Sequence, residues 1–121
     1  MATYIEINNV RYEASITGRL NDKDWDNRAS KAIKLVMNYQ EALNTFIDDV
    51  NWFIIQENAV QELEINEDGQ ETWVEKIKEE KYDNSDYSLA GDIINHRDGT
   101  ITVKMGKPTA EELLAILEGV L

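Results

Sequence analysis

The strongest constraint in this chain is a period-two alternation of apolar residues, broken at short intervals by residues that turn a backbone. Ile5 and Ile7, then Val10, Tyr12, Ala14 and Ile16, put an apolar side chain at every second position. A strand points successive side chains to opposite faces, so this spacing predicts two strands, each with one buried face. Between them sits Asn8-Asn9. Asn tolerates positive φ, which suits a two-residue hairpin turn. Residues 3–8 and 10–17 are therefore predicted to form a hairpin. Residues 18–27 are polar and read as a loop. Ala29, Ile33, Leu35 and Met37 then resume the alternation as a third strand.

At Asn38 the period changes. Asn38 with Glu41 has the spacing of a capping box, in which side-chain acceptors satisfy the first-turn N–H groups of a helix. Tyr39, Leu43, Phe46, Ile47 and Val50 follow at helical spacing, predicting a short amphipathic helix at about 39–48. Trp52, Phe53, Ile54 and Ile55 form a short apolar run, read as a strand buried on both faces, with a helical segment as the alternative.

Residues 57–86 carry 11 acids against 3 lysines, a net −8 in a chain of −12. Asp68-Gly69 lies between 60–66 and 71–78, and Asp-Gly is a strong hairpin signal. The segment reads as an acidic, protruding hairpin or insertion. A helix through 75–81, rich in Glu and Lys, is the competing reading. Residues 82–86 read as a turn-rich connector. A last hairpin is predicted from 87–95 and 100–105 around Arg97-Asp98-Gly99. Thr109 and Glu112 form a second capping box, and Leu113, Leu114, Ile116, Leu117 and Val120 give an apolar helix face at about 109–120.

Strands, a helix, strands and a helix specify the α+β class: a single domain over 1–121, mainly antiparallel hairpins with two short amphipathic helices. The 121 residues suffice for one modest core. No cysteine is present, which excludes disulfides, thiolate metal sites and a cysteine nucleophile. Apolar runs are a few residues long, so no membrane span is expected. The start, Met-Ala-Thr-Tyr-Ile-Glu, lacks a basic region followed by an apolar one, so no signal peptide is expected and the host-cell cytoplasm is the expected location. A charge of −12 repels bare nucleic acid and anionic membrane, so neither is an expected partner.

Catalytic and metal signatures are thin. Asp22, Asp24 and Asp26 have the spacing of the first calcium-loop ligands, but Asn27 and Ile33 stand where that loop needs Gly and Glu. The triplet reads better as a solvated acidic loop. His96 sits beside Arg97 and Asp98 at a hairpin tip, with no nucleophile elbow around it. The glycines form no phosphate-cradling loop. No catalytic residue, metal or cofactor is assigned. Residues 11–34 are locally basic, six cations against four acids. Within them Trp25 and Arg28 define a candidate nucleotide pocket, because Arg can hold a phosphate while an aromatic stacks a base. The alternative is that Trp25 anchors a loop to the core.

The segments 18–28 (opening Gly18-Arg19-Leu20-Asn21-Asp22-Lys23-Asp24-Trp25), 82–87 (Tyr82-Asp83-Asn84-Ser85-Asp86-Tyr87) and 91–109 (opening Gly91-Asp92-Ile93-Ile94-Asn95-His96-Arg97-Asp98-Gly99) resemble small uncharacterised proteins of phages and prophages of Gram-positive bacteria. The resemblance implies a phage context and brings no catalytic residues. It leads to the expectation of a non-enzymatic, tail-associated assembly protein that binds a protein partner or itself and is virion-associated. The alternative is an anti-defence inhibitor: an acidic mimic of nucleic acid against a CRISPR nuclease, or a sponge for a nucleotide signal. The expected acidic interaction surface is Glu62, Glu64, Glu67, Asp68, Glu71 and Glu75, and the expected interface aromatics are Trp73, Tyr82 and Tyr87.

Overall fold

The computed structural model describes residues 2–119. The elements are β1 (Thr3–Ile7), β2 (Val10–Asp22), β3 (Arg28–Val36), α1 (Tyr39–Thr45), β4 (Trp52–Ile65), β5 (Glu71–Asp83), β6 (Leu89–Asn95), β7 (Thr100–Gly106) and α2 (Ala110–Leu117). The seven strands form one sheet in the order β5-β4-β1-β2-β3-β7-β6, and every neighbouring pair is antiparallel. The chain is a single small domain, mostly antiparallel sheet with two short helices, as the alternation predicts.

Register divides the sheet into two faces. Ile7 pairs with Trp52, Ile33 with Val103 and Leu35 with Ile101, so these side chains share one face. With Ile5, Met105, Ala42 of α1 and its C-cap residue Phe46 they make the core. The Trp52 indole N–H donates to the Tyr87 carbonyl at 3.1 Å, and the Trp52 amide donates to Ser85 Oγ at 3.2 Å. The 84–88 segment is thereby strapped over the same front face that α1 covers. The back face takes the alternate residues. Ser15, Lys34, Thr102 and Ile94 lie in one cross-strand row there, with Val36 opposite Thr100 in the next. An antiparallel sheet can leave one face to solvent, and Lys34, Val36 and Ile94 are all exposed.

Several local expectations are corrected. Residues 18–22 are not loop: β2 runs to Asp22, with an irregularity between Arg19 and Asp22, because β3 offers a pairing partner as far as Arg28. The strand expected near 52–56 and the one expected at 60–66 are a single strand, β4, since β5 pairs along its whole length. Its apolar start is buried unevenly: Trp52 and Ile55 are inside, whereas Phe53 and Ile54 are half-buried. The helical alternative through 75–81 is overturned by that same pairing, and Tyr82 and Asp83 belong to β5 rather than to a connector. The first helix stops at Thr45, three residues earlier than predicted. The second spans Ala110–Leu117, and the predicted apolar position Val120 lies outside the described residues.

The turns follow their chemistry. Asn8 and Asn9 both have positive φ, 53° and 62°, as a two-residue turn of the favoured hand requires. Of the two predicted capping boxes, the first is half made, with Asn38 accepting from the Glu41 amide at 2.7 Å, and the second is complete, with Thr109 and Glu112 bonding reciprocally.

Candidate interaction arm

β1 pairs with β4 only from Trp52 to Gln56, and Ala2 accepts one further bond from the Glu57 amide at 3.0 Å. Beyond that point, among the described residues, β4 and β5 have only each other. The free ribbon, 58–65 against 71–78, is about 25 Å long at a rise of ~3.3 Å per residue. Its tip is an Asn turn: Asn66 Oδ1 accepts from the Asp68 and Gln70 amides at 3.0 and 2.9 Å, and Gly69 supplies φ of 77°.

The base of the arm is bolted to the sheet. Arg11 on β2 reaches Glu79 at 2.7 Å, and its guanidinium lies 5.5 Å from the Tyr4 ring centroid. The Tyr4 hydroxyl donates to Glu57 at 3.1 Å. Lys81 pairs with Glu6 at 2.9 Å and lies 4.4 Å from the Phe53 ring. In register between Tyr4 and Lys81, Ile55 is fully buried on the same face that leaves Lys34, Val36 and Ile94 exposed. The arm therefore leaves the sheet from a fixed root.

Alternation makes the arm two-faced. On the face continuous with the core side, Lys76 pairs with Glu64 at 2.6 Å and Glu62 at 3.4 Å, and Lys78 pairs with Glu62. Lys78, then Lys76, holds the Glu62 carboxyl below its ordinary value, and Glu64 raises Lys76. The other face is apolar. Leu63 stands opposite Trp73 and Ala59 opposite Ile77, with Ile65 beyond. Trp73 is 66% exposed and Ile65 69%. Glu71, opposite Ile65, and Glu75, opposite Gln61, rim this stripe. Among the described residues neither makes an ion pair.

The six acids expected to form one surface are thus divided. Glu62 and Glu64 are spent on lysines, Glu67 and Asp68 sit in the tip turn, and Glu71 and Glu75 flank Trp73. The three expected interface aromatics are also separated. Trp73 lies on the apolar stripe. Tyr82 is on the opposite face, opposite Ile54, with its hydroxyl on Glu80. Tyr87 packs against the core, its ring 4.6 Å from Lys31 Nζ and 4.8 Å from Lys107 Nζ. Burial lowers the Lys31 pKa.

Trp25 and Arg28 do meet, with the guanidinium 4.9 Å from the ring, but as a structural bolt. Arg28 is buried. It donates to the Trp25 carbonyl at 3.2 Å, the Lys107 carbonyl at 3.2 Å, Glu112 at 2.7 Å and Asp26 at 3.4 Å. The Trp25 ring presses on the backbone of β6 and β7: a Cβ on Gly91 would stand 2.7 Å from it and one on Gly106 2.8 Å. A guanidinium so engaged has few donors left for a phosphate, and the ring's contacts are those of a loop anchor.

Two features escaped sequence reasoning. Asp22 is not in a solvated loop but fully buried. It accepts from Ser30 Oγ at 2.8 Å, Lys104 Nζ at 2.9 Å and the Asp24 amide at 3.1 Å. The bonds from Lys104 and Ser30 hold its pKa at about 2. Its partners come from β3 and β7, too distant in sequence to signal the site. Among the described residues no group of three or more His, Asp or Glu gathers as metal ligands. The second feature is α2, whose apolar residues Leu113, Leu114, Ile116 and Leu117 are all exposed rather than packed. His96 is exposed as well, its Nε2 2.8 Å from Thr102 Oγ1. Compared with protein-family models, curated proteins and solved structures, the chain matches none.

Proposed function

We propose that this chain is a non-enzymatic, phage-type assembly protein that works through protein–protein contacts made by the β4–β5 arm. The observation that carries this reading is the arm's exposed stripe, Leu63, Trp73, Ile65 and Ile77, on a ribbon with no neighbouring strand. A free two-stranded ribbon is marginal in water, and large exposed aromatics favour an interface. The rigid root provided by Arg11–Glu79 and Lys81–Glu6 holds the stripe at a defined place, which suits docking. The resemblance to phage proteins supplies the assembly context.

An acidic mimic of nucleic acid fits less well. Such a mimic needs unneutralised acids along one surface, whereas Lys76 and Lys78 stand among Glu62 and Glu64. The test is co-purification. A tagged chain expressed in cells that make its virion proteins brings down a structural protein, and the Leu63→Ser, Trp73→Ser double variant loses it while melting normally. Retention of the partner by the double variant defeats the reading. So does salt-sensitive binding of the wild-type chain to a basic nuclease that survives the same substitutions.

A further inference from the structure

We propose that the occupant of the arm's apolar stripe is the open back face of a second copy of this chain, at the patch formed by Val36, Lys34 and Ile94. The inference rests on the arm being an interaction element, and it names the partner.

Within one copy the donor and the acceptor stand apart. Val36, the last residue of β3, lies beside Thr100 and level with the Tyr4–Ile55 row from which the arm departs. The stripe and the patch are both exposed, and the pinned root keeps the arm extended away from β3, so the contact is made between copies. The acceptor has the matching chemistry. Val36 is 76% exposed and Ile94 50%, on a sheet face that neither helix covers. Lys34 lies in the same row as Ile94, across Thr102, and makes no ion pair among the described residues. Glu71 and Glu75 beside Trp73 are likewise unpaired. Docking the stripe on the patch brings apolar groups together and places free acids beside a free lysine.

The exposed apolar face of α2 is a poorer occupant, because Glu111, Glu112 and Glu118 would approach Glu71 and Glu75. Surface area agrees too. The chain exposes 8180 Å², whereas a compact monomer of 13.9 kDa exposes about 6,700 Å² by the usual scaling. The excess of roughly 1,500 Å² is of the size that a standard protein–protein interface buries.

Arm and acceptor are different surfaces, so each copy presents one of each and the contact is heterologous. Complementation between two exposed-site variants tests this in the full-length chain. Wild type sediments above monomer mass. Trp73→Ala, with its arm disabled, and Val36→Asp, with its acceptor disabled, each self-associate about thirtyfold more weakly. Mixed together they regain a complex, because one intact arm meets one intact acceptor. Lys34→Glu weakens association and is rescued by mixing with Glu75→Lys.

A wild-type chain that stays monomeric at every concentration reached overturns the inference. So does a mixture of the two variants with no heterocomplex. Melting curves separate misfolding from loss of contact, since both sites are exposed. If wild type is monomeric but Trp73→Ala still loses a virion protein, this inference falls and the proposed function stands. If the chain self-associates through the arm and joins no virion protein, the reverse holds.

Discussion

At the scale of single residues, the loop 23–27 is fixed by close fit rather than by regular structure. Trp25 packs the Cζ3–Cη2 side of its ring against two glycines, Gly91 and Gly106, and a methyl group on either would enter the ring's space. Gly106→Ala is expected to cost about 1–3 kcal/mol, the usual penalty of overpacking a filled site. Chemical denaturation would measure it, and an unchanged midpoint would mean that Trp25 moves aside freely. The variant should also shift tryptophan fluorescence, because Trp25 is half-buried and its packing changes. At Asn9, φ of 62° lies in the left-handed region. Replacing Asn9 with Ala is expected to cost about 1 kcal/mol, because a Cβ without a local hydrogen bond crowds the carbonyl there. Replacing it with Gly should be neutral or stabilising in the same assay.

At the scale of elements, what could be read from the sequence was set by the range of the interactions. The hairpin around Asn8-Asn9, the last hairpin and both helix N-caps rest on contacts a few residues apart, and all were legible. The length of β2 was not, because Arg19 to Asp22 look like loop until β3 supplies their partners. The union of the 52–56 and 60–66 segments was hidden by Glu57 and Asn58, which are polar yet simply follow the pleat. The arm's acidity was legible, but its pairing was not: Glu62 meets Lys76 and Lys78 only once the Asp68-Gly69 turn sets the register. The polar neighbours of Trp73 point to its exposure, which is 66%, whereas the register is needed to place Tyr82 and Tyr87 elsewhere. α2 misled in the opposite sense. Its apolar spacing suggested a packed helix, yet none of its described residues is buried. This leads to a separation of observables. Thr109→Ala, which removes the capping box, should cost the helix about 1 kcal/mol. Circular dichroism should lose part of its helical signal while the melting temperature of the sheet barely moves. A large fall in melting temperature would mean that α2 stabilises the core.

At the scale of the whole molecule, two electrostatic effects oppose each other as pH falls. The chain carries −12 near neutrality, and its isoelectric point is about 4.4. Self-repulsion destabilises a compact state of high net charge, so acidifying from neutrality toward that point relieves repulsion and raises stability. The paired carboxylates act the other way. Asp22, Glu62, Asp83, Asp98 and Glu112 all have pKa values held below their ordinary values by hydrogen bonds to partners. A carboxylate with a depressed folded-state pKa stabilises the fold above its unfolded value and loses that contribution as pH falls through the folded one. For Asp22 the window runs from its ordinary 3.8 down to about 2. Protonation there removes the buried charge that holds Lys104. The melting temperature should therefore rise between pH 7 and the isoelectric region, then fall steeply below 3.8. Added salt should flatten the rising limb, since it screens the exposed charges, and leave the acid limb in place, since Asp22 is buried. Asp22→Asn should be less stable at neutral pH and should lose much of the acid limb, because the titrating carboxylate is gone. A melting temperature that keeps rising to pH 2, or an acid limb unchanged in Asp22→Asn, would show that the buried Asp22–Lys104 pair does not govern the acid stability of this sheet.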